Sequence, residues 1–216
     1  MHSKTFKPFF LLSSMREFLY YSRSAPTSGK AIGEDLMQAG RLDIAIHTVI
    51  AVFFLSHQLR ENVRLHLCFA GMPDPPKHLE FKPVTEGETG VDKIYLNKRD
   101  VSLIIKKLLY KCKEGEKREV FPGYWVEKKG FLDVIKELHE QGHPIYILDS
   151  EGEDVRTLDI KENPVFILGD HIGLPQKEFR RLKTLCTPVS IGKKMYFASH
   201  TVAIINNELD RREEKK

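Results

Sequence analysis

Cysteine, tryptophan and long apolar runs are all scarce in this chain of 216 residues, and their scarcity excludes several protein classes. The three cysteines, Cys68, Cys112 and Cys186, are far apart, which indicates neither a disulfide framework nor the CxxC spacing of a metal site. The longest apolar run, at residues 48–55, is too short to cross a bilayer. We therefore expect no metal and no membrane association, and a protein of the reducing cytoplasm.

The common nucleotide-binding and nucleophile motifs are also missing. The chain contains neither G-x-G-x-x-G nor G-x-x-x-x-G-K-[ST], so the standard nucleotide-binding loops are absent and a Rossmann dehydrogenase is disfavoured. No G-x-S-x-G elbow, Cys/His pair or pair of carboxylates stands out either. The function has to be sought in other features of the sequence.

Strands and helices alternate along the second half of the chain. Apolar strand-like segments alternate with amphipathic helical segments at residues 131–140, 145–148, 165–168, 177–185, 189–191 and 199–211. This alternation predicts a mainly parallel α/β sheet flanked by helices. With 41% hydrophobic and 30% charged residues, we expect one domain at residues 15–216, preceded by a disordered extension at residues 1–14.

Three predicted strands end in polar or glycine-bearing turns, at residues 148–150, 169–171 and 190–192. Because ligands of such sheets gather at the carboxyl ends of the strands, these turns predict a pocket. Within the second turn, Asp170 could be catalytic and His171 could bind a metal or act as a base. We favour structural roles for both, with Asp170 capping nearby N–H groups and the ring of His171 holding the loop.

A basic stretch stands out locally, although the net charge is only +4. Between Lys93 and Arg118 there are nine Lys or Arg and three Asp or Glu residues. Lys106, Lys107 and Lys111 cluster away from the apolar stripe of a predicted helix. The stretch is either a surface for phosphates or a solvated helix face. From the residues alone, the chain is predicted to be an α/β ligand-binding protein with a basic face.

Three longer stretches are more specific than these general features. They are G-R-L-D at residues 40–43 with F-F-L-S-H-Q-L-R at 53–60, N-P-V-F-I-L-G-D-H-I-G at 163–173, and V-S-I-G-K-K-M-Y-F-A-S-H-T at 189–201. In order and spacing they resemble the archaeal tRNA (pseudouridine-54) N1-methyltransferase family, which belongs to the SPOUT superfamily. The resemblance covers essentially residues 15–210.

The resemblance implies a fold that periodicity does not reveal. Members of this superfamily have a mainly parallel sheet flanked by helices and a deep C-terminal trefoil knot, a feature that chain-topology rules treat as a rare exception. The resemblance also implies S-adenosylmethionine as cofactor, tRNA as partner, and a homodimer whose active site draws on both subunits.

By the same resemblance, the three turns become the cofactor pocket. The residues implied to bind the cofactor are Leu148, Gly169, Ser190, Ile191, Gly192, Met195 and Thr201. A side chain at either glycine is expected to occupy the ligand's space. Family members often carry Cys at the position of Thr201, so cysteine chemistry is not expected here. Alternatively, Thr201 or Ser199 caps the last helix.

The reaction requires a proton to leave the ring nitrogen of pseudouridine, or the ring's developing charge to be stabilised. Asp43, within G-R-L-D, is the leading candidate to orient or deprotonate the base. Arg41 is the candidate to contact phosphate or to stabilise charge on the ring. Alternatively, the two form a structural ion pair, or Asp43 caps the first helix, predicted at residues 42–59. His57 and Arg60, one turn apart near that helix's end, could add phosphate contacts.

Two other functions remain open on the sequence alone. The same chemistry could act on a pseudouridine of ribosomal RNA, because a related knotted family has that substrate. A knotted RNA-binding protein without catalysis is the other alternative, and Thr201 in place of Cys keeps it open.

Overall fold

The computed structural model describes residues 14–82 and 97–214. The predicted N-terminal extension lies outside these ranges except for Ser14, whose hydroxyl accepts a hydrogen bond of 2.7 Å from the backbone N–H of Asn163. Lys93, the first residue of the basic stretch, lies outside them as well.

Eight strands form one sheet in the order β4-β5-β3-β2-β1-β7-β6-β8. They are β1 (Arg16–Ser22), β2 (Val63–Phe69), β3 (Lys77–Phe81), β4 (Arg118–Phe121), β5 (Tyr124–Glu127), β6 (Ile145–Asp154), β7 (Val165–Gly169) and β8 (Thr187–Ser190). β1 pairs in parallel with β2 and β7, and β6 with β7 and β8, whereas β3, β4 and β5 add an antiparallel edge. The predicted mainly parallel sheet is confirmed.

Helices cover both faces of this sheet. They are α1 (Leu42–Phe53), α2 (Lys98–Lys111), α3 (Phe131–Glu140), α4 (Gln176–Leu182) and α5 (Ala198–Glu213), with a short 3-10 helix, η1 (Gly29–Ala31), after β1. Because strand side chains alternate, Phe18 of β1 packs in the core built with α1, α2 and α5, whereas Leu19 packs in the core built with α3 and α4. None of the described helices is both long and apolar enough to cross a membrane.

The first helix is shorter than predicted. α1 ends at Phe53, and the backbone N–H of Arg60 donates to the Phe53 carbonyl at 2.8 Å. The N–H of Leu55 donates to the Gln58 carbonyl, which closes a turn over the next residues. The placement of His57 and Arg60 near the end of a helix is therefore wrong, because His57 lies in this turn and Arg60 follows it.

β6 and β8 approach each other unusually closely. Val189 of β8 pairs with Leu148 of β6 and again, after a register shift, with Glu153. Gly152 lies against the β8 backbone, where an added Cβ would be 2.6 Å from the Val189 nitrogen. β6 therefore folds closely around β8 at this point, which only a glycine permits. The trefoil knot itself stays a prediction.

A buried chain of ionisable side chains runs across β1, β2, β3 and β5. His66 contacts Glu17 at 2.8 Å and His78 at 2.9 Å, and His78 contacts Glu127 at 2.9 Å. All four side chains are less than one-tenth exposed. The three hydrogen bonds need three protons, which the two rings and the two carboxyl groups share.

The pKa shifts show which ring remains neutral. Burial lowers the pKa of His78 to about 4, against the effect of its hydrogen bond with Glu127. Burial acts to raise the pKa of Glu127, but the hydrogen bonds from His78 and Lys129 outweigh it and lower that pKa to about 2. At neutral pH His78 is therefore a neutral ring, which donates to the ionised Glu127 from one nitrogen and accepts from His66 at the other.

We predict that the protein loses stability as the pH falls from about 6 to about 2. His78 and Glu127 both have folded pKa values below their unfolded values, so the unfolded chain binds more protons in acid. Glu127→Gln is expected to lower the melting temperature at neutral pH and to flatten its decline in acid. Melting curves across this pH range measure both effects.

Glu116→Gln is the matched control, because Glu116 is exposed and lies outside the chain of ionisable groups. Its melting temperature should follow the parent at every pH. An acid decline in Glu127→Gln as steep as in the parent protein would contradict the proposed role of the carboxylate.

Candidate cofactor pocket

An open pocket with a volume of about 420 Å³ lies at the carboxyl ends of β6, β7 and β8. This volume is in the range of small-molecule sites, and the carboxyl edge of parallel strands is where such sites occur. Each of the three predicted turns contributes to the lining, through Leu148, Gly169 and Gly192 among others. The structure therefore brings together segments that are distant in sequence.

Six of the seven residues expected to bind a cofactor line this pocket, namely Leu148, Gly169, Ile191, Gly192, Met195 and Thr201. Ser190 lies just beneath them and is 8% exposed. Its hydroxyl accepts a hydrogen bond of 3.1 Å from the backbone N–H of Gly192. Ser190 thus shapes the loop on which the neighbouring residues are carried.

The two glycines are needed for reasons that differ from the expected one. A Cβ on Gly169 would lie 2.9 Å from the Cα of Gly173 and 3.1 Å from the nitrogen of Leu174, so the loop's own backbone excludes it. Gly192 has open space around it but a φ of +120°, which L side chains rarely adopt. That a side chain at either glycine would occupy the ligand's space stays a prediction.

Asp170 fixes the turn after β7. Its carboxylate accepts hydrogen bonds of 2.9 Å from the Ser22 hydroxyl, the Arg23 N–H and the Ile172 N–H. The interpretation of Asp170 as a cap for neighbouring N–H groups is therefore confirmed. His171 is exposed and makes no hydrogen bond within the described part of the chain, so its expected structural role is wrong.

The last helix starts beside the pocket without a side-chain cap. Phe197 is the N-cap residue and makes no capping bond, so the interpretation of Ser199 or Thr201 as caps is wrong. The Thr201 hydroxyl instead donates to the Phe197 carbonyl at 3.2 Å. Its side chain faces the pocket from the first turns of α5.

The lining fits the chemistry of S-adenosylmethionine. Leu148, Leu174 and Ile191 offer apolar walls for a flat ring, while residues 191–193 offer backbone polar groups at and beside a glycine. The carboxylate of Asp149 is held by Lys183 and accepts from the Glu151 N–H at 3.1 Å. The pocket thus combines apolar surface with a few fixed polar groups, as sites for adenosyl ligands require.

Some lining residues were not predicted. Phe179 of α4 and Tyr196, which precedes α5, also contribute to the pocket. Tyr196 falls inside the stretch at residues 189–201, which could have indicated it. Phe179 occupies an ordinary apolar position of a short helix, so no sequence signal distinguishes it.

Arg41 and Asp43 form a two-point ion pair at the start of α1. The guanidinium donates to the two carboxylate oxygens at 3.0 and 3.1 Å, and this hydrogen bonding lowers the pKa of Asp43 below its usual value. Gly40 allows the close packing before them, because a Cβ there would lie 1.9 Å from the Ser24 carbonyl oxygen. The N-cap of α1 is Arg41, so Asp43 does not cap the helix.

Tyr20 connects the ion pair electrostatically with the pocket. Burial raises the pKa of Tyr20, and the negative charges of Asp170 and Asp43 raise it further. Tyr20 is therefore close enough to both carboxylates for their charges to affect its hydroxyl. Asp170 lies beside the pocket, and Asp43 lies at the start of α1. Both groups lie at the same edge of the sheet.

The residues expected to contact RNA have different surroundings. Lys107 and Lys111 are exposed on α2, with the Lys107 ammonium 5.6 Å from the centre of the Phe121 ring. The Lys106 ammonium donates to the Ile32 carbonyl at 2.8 Å. Arg60 is 10% exposed and holds Asp210 through two hydrogen bonds of 2.6 and 2.7 Å. His57 is exposed.

No group of three His, Cys, Asp or Glu side chains within residues 14–82 and 97–214 could hold a metal ion.

Residues 15–214 match a protein family described as "Putative SAM-dependent RNA methyltransferase". The chain belongs to this family. A tRNA (pseudouridine(54)-N(1))-methyltransferase of Pyrococcus abyssi is 38% identical over 91% of this chain and 98% of its own length. The enzyme of the same name from Methanocaldococcus jannaschii is 35% identical over 92% and 98%. A Vibrio parahaemolyticus relative, "Putative pseudouridine methyltransferase", is 36% identical over 92% and 100%.

A solved structure shares the α/β fold of this chain. Nep1 of Archaeoglobus fulgidus, bound to S-adenosylhomocysteine, superposes with a TM-score of 0.60 and covers 93% of this chain and 99% of Nep1. Its sequence identity is 12%, so the likeness concerns the fold alone.

We predict that Ile191→Trp weakens binding of S-adenosylhomocysteine about tenfold or more, because the indole fills the pocket. Isothermal titration calorimetry measures this affinity. Ile172→Trp is the matched control, since Ile172 is exposed on the neighbouring loop but does not line the pocket. Equal affinities of the two variants would show that the ligand binds elsewhere.

Proposed function

We propose that the chain is an S-adenosylmethionine-dependent methyltransferase that acts on N1 of pseudouridine 54 in the T-loop of tRNA. The observation that carries this proposal is the 38% identity with the Pyrococcus abyssi enzyme across 91% of the chain. The pocket supports it, because six of the expected cofactor residues line one cavity of suitable size and chemistry.

When bound, S-adenosylmethionine supplies a methyl group on a positively charged sulfonium. The residues of the pocket would hold this cofactor, among them Leu148 and Ile191. The pseudouridine N1 would bond to the methyl carbon as the S–C bond breaks with its electron pair on sulfur, and the N1 proton would have to leave. The proposed role of Asp43 is to accept a hydrogen bond from N1–H, which orients the ring. Arg41 is proposed to stabilise the negative charge that develops on the ring.

The lowered pKa of Asp43 supports one of its two possible roles. A carboxylate whose pKa lies below the usual value is a weak proton acceptor, and Arg41 holds both of its oxygens. We therefore favour orientation of the base over full deprotonation by Asp43, with the proton passing to water.

Lys106, Lys107 and Lys111 of α2, together with His57, are proposed to contact the RNA backbone. The exposed ammonium groups of Lys107 and Lys111 support this proposal, because they are free to meet phosphates. Arg60 is left out of the proposed surface, since Asp210 already binds its guanidinium.

A cytoplasmic homodimer is the proposed form of the enzyme. Met195, Tyr196 and Phe197 support a dimer, because they are consecutive and 99%, 46% and 61% exposed at the mouth of the pocket. Phe197→Ser is expected to increase the monomer fraction in light scattering coupled to gel filtration. An unchanged mass would place the interface elsewhere.

Methylation of tRNA tests the proposed function directly. Labelled S-adenosylmethionine and tRNA containing pseudouridine 54 should yield N1-methylpseudouridine, and tRNA with uridine 54 should yield none. Asp43→Asn is expected to lower kcat by about tenfold to a thousandfold while affinity for S-adenosylhomocysteine persists. Absence of product from competent tRNA with the cofactor bound would refute the proposal.

Ribosomal RNA is the second candidate substrate, and the name of the Vibrio relative, which specifies no RNA, favours testing it. Mass spectrometry of nucleosides from tRNA and rRNA of a deletion strain separates the two. Loss of N1-methylpseudouridine from rRNA alone would move the proposal to that substrate.

A further inference from the structure

An exposed aromatic ring lies among the lysines of α2. Tyr110 is 52% exposed although it belongs to a helix that packs its other side into the core. In an α-helix, residues three and four positions apart are neighbours on the surface. Tyr110 is therefore adjacent to Lys106 and Lys107, and Lys111 follows it directly. An aromatic face flanked by cations is typical of surfaces that bind single-stranded nucleic acid.

The ring of Tyr110 is held in place by the backbone of η1. A Cβ added to Gly29 would lie 2.5 Å from Cδ2 and 2.7 Å from Cε2 of the tyrosine ring. The ring can occupy this position only because residue 29 has no side chain. The Lys106 ammonium also donates to the Ile32 carbonyl at 2.8 Å, which ties the end of η1 to α2. An exposed ring fixed in this way loses little entropy when a ligand binds to it.

The platform, by which we mean Tyr110 with Lys107 and Lys111, lies towards the edge of the sheet that carries the candidate site. η1 follows the loop that leaves the carboxyl end of β1, and Ser22 at that end contacts Asp170 of the pocket. The same loop packs against Gly40, just before the Arg41–Asp43 pair. An RNA held at the platform therefore lies on the side of the protein where the proposed reaction occurs.

We propose that Tyr110 stacks against an unpaired base of the RNA substrate, while Lys107 and Lys111 contact the phosphates beside that base. The proposal rests on the proposed function, since it assigns part of the RNA surface of that enzyme. Stacking on an aromatic ring contributes about 1–3 kcal/mol per base and needs no particular base. The platform accordingly favours unpaired loops over continuous duplexes, whose bases are not accessible.

The charges of α2 favour RNA over a second copy of the chain on this surface. Lys98, Arg99, Lys107 and Lys111 are all exposed, and Asp100 is the only acidic residue of the helix. Two such faces would repel each other, whereas a phosphate backbone attracts them.

The test compares Tyr110→Ala with Tyr110→Phe in binding to two RNAs, a T-arm stem-loop and a blunt duplex of equal length. Fluorescence anisotropy at several salt concentrations gives the affinities. Tyr110→Ala should weaken binding to the stem-loop about fivefold to a hundredfold and leave duplex binding unchanged. Tyr110→Phe should bind both RNAs like the parent, because stacking needs the ring and not the hydroxyl.

Lys107→Ala is the contrasting variant. It should weaken binding to both RNAs and reduce the slope of log affinity against log salt by about one, as expected for the loss of one phosphate contact. Should Tyr110→Ala fail to fold, Tyr110→Leu retains apolar contact with Gly29 and removes the ring, and it should show the same selective loss.

Methylation kinetics keep this proposal separate from the proposed function. Tyr110→Ala should raise KM for tRNA and leave kcat and affinity for S-adenosylhomocysteine unchanged. If the parent protein methylates no RNA but Tyr110→Ala still loses stem-loop affinity, the platform stands and the proposed function fails. If Tyr110→Ala binds the stem-loop as tightly as the parent protein does, the proposed platform is wrong. It is also wrong if Tyr110→Ala changes the oligomeric state instead of the affinity for the stem-loop.

Discussion

The carboxylate of Asp170 is the contact on which the candidate site depends. It accepts hydrogen bonds from Ser22 and Arg23 at the end of β1 and from Ile172 in the turn after β7. One side chain that is 8% exposed thus joins the central strand to the wall of the pocket. A buried carboxylate is tolerated only when such bonds replace its hydration. The close approach of Gly169 to Gly173 follows from this turn, so the backbone itself shapes this wall of the pocket.

The strands, the faces of the helices and the three turns of the pocket could be predicted because each depends on local pattern. Alternating buried strands require the turns to meet at one edge, whatever the details of packing. The end of α1 could not be predicted in this way. Arg60 is drawn to Asp210, which is 150 positions away, and the chain leaves the helix at Phe53 to reach it. A helical pattern of apolar residues at 53 and 54 contains no information about that distant partner. The start of α5 is similar, because Phe197 takes the N-cap position although Ser199 and Thr201 are better cap formers.

The polar chain of β1, β2, β3 and β5 shows a different limit. β2 alternates apolar residues with Arg64 and His66, a pattern typical of a strand with one polar face. His66 is instead 3% exposed, because His78 and Glu127 on the antiparallel edge meet it within the sheet. Two buried rings and two carboxyl groups then share three hydrogen bonds within the sheet. A sequence pattern gives the period of side chains but not which partners will neutralise them. The same limit applies to position 152, where a glycine is needed only because β8 passes beside it.

The ion pair of Arg41 and Asp43 can be structural and still serve catalysis, because its geometry makes these two roles compatible. A two-point pair fixes the plane of the carboxylate and lowers the pKa of Asp43, which keeps the group ionised. Such a carboxylate is a poor proton acceptor but a well-oriented hydrogen-bond acceptor. Methyl transfer from a sulfonium needs orientation more than a strong base, because the leaving group is already activated by its charge. Preorganised charges contribute to catalysis by not having to reorganise during the reaction. The contact that stabilises the start of α1 is therefore also what prepares Asp43 for the role proposed for it.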